Sequence, residues 1–237
     1  MIEFYELTDE EEIPFRCDVN MELSESAPQP ERSWLLWLFV KASDPAEEGF
    51  VRFREELANK LQTELDAVFA GSLSKEGWIE LYFYAPDAKR FENLSSEVMS
   101  AHGGFAYERG ASRDTKWEMY LERLYPDAYA LLRIQNRHTL EALEEAGDDH
   151  AIAREVEHYL FFQTKSALER VVSSLSSHGF SLKEEVGDNE SDYAYGAVLV
   201  KTEPVTPEQV EETTAVLFDA ALEQHGYYEG WSTVLAQ

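Results

Sequence analysis

A single cysteine, Cys17, stands among the 237 residues. It excludes an intramolecular disulfide and is too few for a cysteine-built zinc site. Long apolar runs are missing as well. The longest, Trp34-Leu35-Leu36-Trp37-Leu38-Phe39-Val40, has strand length, far below the ~20 residues of a membrane-spanning helix. The opening Met1-Ile2-Glu3-Phe4-Tyr5-Glu6 has neither the basic region nor the apolar stretch of a secretory signal. A cytoplasmic protein without membrane contact is the expectation. Basic residues are scarce: 20 Lys and Arg stand against 47 Asp and Glu, a formal net charge of −27. The imbalance is shared, with 27 acids against 13 bases up to Leu132 and 20 against 7 after it. Such a field repels phosphate backbones and attracts basic surfaces. Direct nucleic-acid binding is disfavoured, and a basic protein segment is the favoured partner; the competing reading is charge kept for solubility alone.

Signatures of catalysis are absent too. There is no Gly-x-Ser-x-Gly elbow, no Walker loop and no His-Glu-x-x-His helix. Asp188, Glu190 and Asp192 have the one-three-five spacing of a calcium loop. Positions six and twelve are Tyr193 and Leu199, where that loop needs Gly and Glu, so a solvated hairpin turn is the better reading. His150 and His158 are eight apart, matching no common metal motif. His158 shares a strand face with Val156, Leu160 and Phe162 and reads as a hydrogen-bonded core histidine. Cys17 has no neighbouring His or Lys to activate it. No catalytic residue, metal ligand or cofactor is expected: the chain reads as a non-enzyme.

What is present is ample apolar material, 44% hydrophobic and 13% aromatic, enough to build substantial cores. Residues 1–31 read as one or two short strands and a loop. Ser33–Lys41 reads as a buried strand, and Asp44-Pro45-Ala46-Glu47 as a helix start with Asp44 as its N-cap. Phe50, Phe53, Leu57, Leu61 and Leu65 then form one helical face. Ala67–Leu73 and Trp78–Tyr84 are strands joined near Gly77, followed by a helix from about Asp87 to His102. Phe105–Arg109 and Lys116–Arg123 are strand candidates. Pro126–Ala146 reads as a helix joining two halves, ended by Gly147-Asp148-Asp149. In the second half Glu155–Gln163 is a strand and Thr164 caps a helix that Gly179 terminates. Phe180–Val186 and Tyr193–Lys201 are strands, Thr206-Pro207-Glu208-Gln209 is a capping box, and Tyr227–Leu235 is the last strand.

Both halves therefore spell β-α-β-β-α-β, the ferredoxin-like order. The expected class is α+β, two ferredoxin-like sandwich domains over 1–132 and 133–237, such as an ancient duplication would produce. Helices end three times in His-Gly, at His102-Gly103, His178-Gly179 and His225-Gly226. There a last-turn cation suits the helix dipole and Gly supplies a left-handed cap.

One stretch carries a resemblance. Arg154-Glu155-Val156-Glu157-His158-Tyr159-Leu160-Phe161-Phe162 follows Gly147-Asp148-Asp149, and Gly226-Tyr227-Tyr228-Glu229-Gly230-Trp231 comes near the end. With the Gly179-Phe180 helix exit, these resemble the family of the regulator of ribonuclease E activity B, over roughly His138 to Val234. Tyr159 stands where that pattern has tryptophan and Glu229 where it has aspartate. The first half looks like an uncharacterised domain often fused ahead of this module, with Trp34, Trp78, Trp117 and Tyr120 as its recognisable points. The resemblance implies a non-catalytic domain that binds ribonuclease E and damps its cleavage of RNA. Ribonuclease E carries arginine-rich segments, which an acidic half is suited to meet. Glu184, Glu185, Asp188, Glu190 and Asp192, at one end of a hairpin, are the candidate partner-binding residues. Two other readings stand beside this one: a small-molecule or enzymatic pocket lined by Trp34, Trp37, Trp78 and Trp117, and self-association through a sheet edge.

Overall fold

The structure is a computed structural model that describes residues 1–8, 11–42, 44–102, 105–187 and 191–237. Two compact units divide the chain, Met1–Asp127 and Ala128–Gln237, each built on an antiparallel sheet with helices.

In the first unit six strands lie in one sheet: β1 (Ile2–Thr8), β2 (Pro14–Asn20), β3 (Trp34–Lys41), β4 (Val68–Lys75), β5 (Trp78–Ala85) and β6 (Tyr107–Arg113). Their spatial order is β1-β2-β4-β5-β3-β6. Two helices, α1 (Glu48–Leu65) and α2 (Phe91–Ala101), connect them. Strand alternation on β3 sends Leu36, Leu38 and Val40 to one face, where all three are fully buried. They share a core with Phe50, Phe53, Leu57 and Leu61 of α1 and Phe91, Leu94 and Val98 of α2. The β4–β5 turn places Glu76 at φ 50° and Gly77 at φ 79°, the pair of left-handed residues that a two-residue hairpin of matching twist requires.

Three local readings change. Helix α1 begins at Glu48 behind Glu47, which makes no side-chain cap bond. Asp44 instead accepts from the Ala46 N–H at 2.8 Å, closing a turn two residues on, as short carboxylates readily do. Asp87 does the same with Lys89 N–H at 2.7 Å, and α2 starts later than expected, behind a left-handed Arg90. The largest change is at Lys116–Arg123, which is no strand. Met119–Leu124 forms a π-helical turn, and Trp117, Tyr120 and Leu124 are fully buried. Their spacing of three and four is helical, and Asp114 anchors the start by accepting from Glu118 N–H at 2.9 Å and Met119 N–H at 3.1 Å.

The second unit begins with α3 (Ala128–Glu145) and continues through β7 (Arg154–Phe162), α4 (Lys165–Leu175), β8 (Ser181–Gly187), β9 (Tyr195–Glu203), α5 (Pro207–Glu223) and β10 (Tyr227–Thr233). The sheet order is β10-β7-β9-β8. Thr164 caps α4 by accepting from Ala167 N–H at 3.3 Å, and Thr206 caps α5 through Gln209 N–H at 3.4 Å. That second box is only half closed, because the Gln209 amide donates to Glu203 and Thr213 instead. Leu160 and Phe162 of β7 pack with Leu168, Val171 and Leu175 of α4 and with Leu217 and Ala221 of α5.

Each unit contains a strand-helix-strand-strand-helix-strand run in one sheet. The spatial orders β4-β5-β3-β6 and β8-β9-β7-β10 correspond strand for strand, and the β1–β2 hairpin extends only the first. The His-Gly exits differ among themselves. Gly179 is left-handed at φ 86° as a helix cap should be. At the third exit the left-handed residue is His225 itself, at φ 54°. Gly226 serves close approach: a Cβ there would meet Phe162 Cδ1 at 2.4 Å. Gly103 lies outside the described residues.

Candidate partner-binding surface

Strand β8 is an edge of the second sheet, and most of its residues are exposed. Glu184, Glu185 and Asp192 are all exposed, while Asp188 and Glu190 lie outside the described residues. Strand alternation separates the first two. Glu184 stands across β9 Val198, itself opposite Tyr159, on the face away from the helices. Glu185 stands across Ala197 on the helix side, and its Oε2 lies 3.5 Å from Nζ of Lys165 at the start of α4. Adjacent in sequence, they serve different faces.

The face away from the helices carries a pattern that the sequence reading missed. Glu155, Glu157, Tyr159 and Phe161 follow one another along it on β7, by the same alternation that buries Arg154, Val156, His158, Leu160 and Phe162. Lys183 extends its Nζ to Glu155 Oε1 at 2.7 Å and Glu157 Oε1 at 2.5 Å. Hydrogen bonds to Glu155 and then Glu157 hold the Lys183 ammonium above its usual pKa. Hydrogen bonds from Lys183 and then Tyr159 hold Glu157 below the usual carboxylate range. Toward the hairpin end the face turns aromatic. Phe161 stacks on Tyr227 with ring centroids 5.2 Å apart and planes 17° from parallel. Tyr193 meets Tyr227 edge-on at 4.8 Å. Gly196 makes room for this group, since a Cβ there would come within 2.8 Å of Phe161 Cδ1 and 2.6 Å of Val186 Cγ2. The signal was available in the odd-numbered residues of β7, but only the register joins them to Tyr227 and Tyr193.

Several motif residues behind the family resemblance have structural roles. The buried Asp148 carboxylate pairs with Arg154 at 2.5 Å and accepts from Ala236 N–H at 2.7 Å. Burial would raise the Asp148 pKa; the bonds from Ala236 and Arg154 outweigh it and hold it low. Asp149 N–H donates back to Ala236 O at 2.8 Å, so Gly-Asp-Asp and Arg154 together clamp the end of the chain. Trp231 is buried and donates its indole N–H to Asn136 Oδ1 at 2.9 Å. Asn136 in turn donates to Thr214 Oγ1 at 2.7 Å.

His158 is the expected core histidine, buried with Nδ1 2.9 Å from the Tyr228 hydroxyl. Burial, aided by the Lys201 charge, pushes its pKa down to about 3. The imidazole is therefore neutral across the physiological range. Between that value and the ordinary 6.5, the unfolded chain binds a proton that the folded chain refuses. Stability from this group is complete above 6.5 and falls as pH drops through the window, by up to about 1.4 kcal/mol per pH unit. Urea unfolding of wild type and His158→Gln at pH 7 and pH 5 should show the wild type losing about 2 kcal/mol more on acidification. Parallel losses would show that His158 titrates freely.

Cys17 is fully buried, its Sγ 3.5 Å from Leu124 O, and burial pushes the thiol up to about 12. Among the described residues no group of His, Cys, Asp and Glu is arranged to hold a metal ion, and no helix is long and apolar enough to cross a membrane. The pocket expected from four tryptophans does not form. Trp34 packs against the helix-side core of the first sheet, Trp37 alternates to the opposite face, and Trp117 is sealed inside, stacked on Tyr84 at 4.0 Å. Trp78 borders an open cleft of about 250 Å³ with Phe39, Glu80 and Glu108, and Trp34 borders a separate one of about 400 Å³ with Arg90, Asn93 and Gly110.

Comparison with known families divides the chain as its units do. A family model described as Family of unknown function (DUF695) matches residues 6–125, just over half of the chain. The chain belongs to the DUF695 family. Behind this DUF695 region, residues 133–233 match the model described as Regulator of ribonuclease activity B, in the order that the sequence resemblance implied. The DUF695 match spans β2 to β6, the end of β1 and the Trp117–Leu124 segment. The regulator match takes in most of α3 and the whole second sheet. No curated protein matches the chain. A solved structure described as an unknown protein from Galdieria sulphuraria is 14% identical, with a TM-score of 0.25, over 86% of this chain and 99% of that one.

Proposed function

We propose that this protein is a non-catalytic regulator of RNA decay that binds a basic, arginine-rich protein segment, such as one of ribonuclease E, in the cytoplasm. The observation that carries the reading is the match of residues 133–233 to Regulator of ribonuclease activity B. Charge supports it, because a net −27 draws cationic partners and repels free RNA. In this reading Glu184, Glu185, Asp188, Glu190 and Asp192 receive the partner. The domains run 1–132 and 133–237, and their matching strand orders descend from duplication of one ferredoxin-like unit. The competing reading of the first domain is self-association through a sheet edge.

The test is a titration of the full chain with an arginine-rich peptide at two salt concentrations. Attraction screened over ~8–10 Å should weaken several-fold as salt rises. The triple variant Glu184→Gln, Glu185→Gln, Asp192→Asn should associate more slowly at an unchanged melting temperature, since exposed charges contribute little to folding. Salt-independent binding, or none, would sink the acidic-surface reading.

A further inference from the structure

We infer that the helix-free face of the second sheet is a guanidinium-reading surface, on which the Phe161–Tyr227–Tyr193 group takes the flat faces of arginine side chains while Glu184 takes their N–H forks. The inference deepens the proposed function and rests on it, because it names the surface and adds arginine-over-lysine selectivity, which charge alone does not provide.

Three observations converge. The first is chemical. Phe161 and Tyr227 lie almost parallel, with Tyr193 edge-on against Tyr227, and Tyr227 keeps 38% of its surface exposed. Aromatic groups are usually interior; this one sits on the sheet face opposite the core that Leu160 and Phe162 fill. Aromatic faces attract cations, and guanidinium, being planar and weakly hydrated, stacks on them better than ammonium does.

The second observation is placement. Phe161 is in register with Gly196 and Val186, and Tyr159 with Val198 and Glu184. Glu184 is thus one pleat step along and two strands across from Phe161, roughly 7 Å and 10 Å. Successive long side chains of one extended segment reach both.

The third observation is that this face already holds a cation. Lys183 lies between the Glu155 and Glu157 carboxylates, bonded to both. The carboxylate spacing along β7 therefore fits a cationic head, here supplied by the chain itself. Glu184, exposed beside Lys183 on the same strand, extends the row toward the aromatic end. A partner rich in arginine matches this surface in charge at one end and in planarity at the other.

The experiment measures binding of two peptides of equal length and charge, one of arginine and one of lysine, to the full chain and to Tyr227→Ala, Tyr227→Leu and Tyr227→Phe. Wild type should prefer the arginine peptide by about tenfold, the scale of a partly desolvated cation–π contact. Tyr227→Ala should abolish that preference, weakening the arginine peptide about tenfold and the lysine peptide less. Tyr227→Phe should retain it. Tyr227→Leu, which keeps the apolar bulk and removes the ring, should lose it even if the alanine variant folds poorly. Equal affinity for both peptides in wild type, with binding still weakened by the acid-to-amide variant, would overturn the aromatic surface and leave the acidic reading standing. No binding of either peptide would overturn both. A wild-type dimer that Tyr227→Ala converts to monomer, with no peptide bound, would assign the face to a second copy of this chain instead.

Discussion

Replacing Trp117 by alanine should destabilise the first unit by about 3–5 kcal/mol, the usual cost of emptying a large aromatic site. Trp117 is fully buried, stacked on Tyr84 at 4.0 Å and met edge-on by Tyr120 at 6.0 Å. Its indole N–H donates to Arg32 O at 2.8 Å, so truncation leaves both a cavity and a carbonyl without its donor. The consequences spread because this residue begins the segment that covers the second face of the sheet. Behind it, Leu124 O accepts from the Tyr5 hydroxyl at 2.9 Å, and the Tyr120 hydroxyl donates to Asn20 O at 2.9 Å. Losing the anchor should loosen the β1–β2 hairpin as well. Chemical unfolding followed by circular dichroism would read the loss, and hydrogen exchange would show deprotection of β1 and β2. A change below about 1 kcal/mol would mean that the segment is a detachable flap whose contacts add little.

Trp231→Ala should cost the second unit a similar amount, about 3–5 kcal/mol, and here the conservative variant tells more. Trp231 is 8% exposed and belongs to a small core with Leu140, Val156, Val205 and Val210. Phenylalanine would fill much of that volume but could not donate to Asn136 Oδ1. Asn136 is buried, and an unmatched buried acceptor costs about 1–3 kcal/mol. Trp231→Phe should therefore lose stability by that amount. Pairing it with Asn136→Leu and Thr214→Val should recover part of the loss, because every member of the broken Trp231–Asn136–Thr214 chain is then apolar. A near-neutral Trp231→Ala would instead place the indole on a binding surface.

The same residues show how far local patterns carry. Period-two alternation on Trp34–Lys41 and Arg154–Phe162 made those strands and their buried faces legible. Hydroxyl caps at Thr164 and Thr206 marked two helix starts within a residue. Patterns misled where a side chain found a nearer partner than its motif offers. Asp44 closes its own turn instead of capping α1, and the Gln209 amide leaves its capping box for Glu203 and Thr213. Lys116–Arg123 misled for another reason: an aromatic run has strand propensity, and only its spacing, Trp117 to Tyr120 to Leu124, betrayed a helical turn. The candidate acids were legible as a charge cluster but not as a geometry. Neighbouring strand residues point apart, so Glu184 joins the aromatic face and Glu185 the helix side.

By itself the sequence determined the absence of an intramolecular disulfide, the acidic character of both halves, the α+β class and the family to which each half is similar. The first three follow from composition and from periodicities of two and 3.6, which local backbone geometry imposes whatever the rest of the chain does; the likeness to families rests on the motifs themselves. Tertiary structure alone decided that the four tryptophans part company and that Asp148 and Arg154 lock the chain's end. It also decided that Phe161, Tyr193 and Tyr227 meet. Those three come from β7, the segment before β9, and β10, separated by up to 66 positions in number. Hydrogen-bonded register, which depends on which strands pair and how far each slides, is the only thing that brings them to one face.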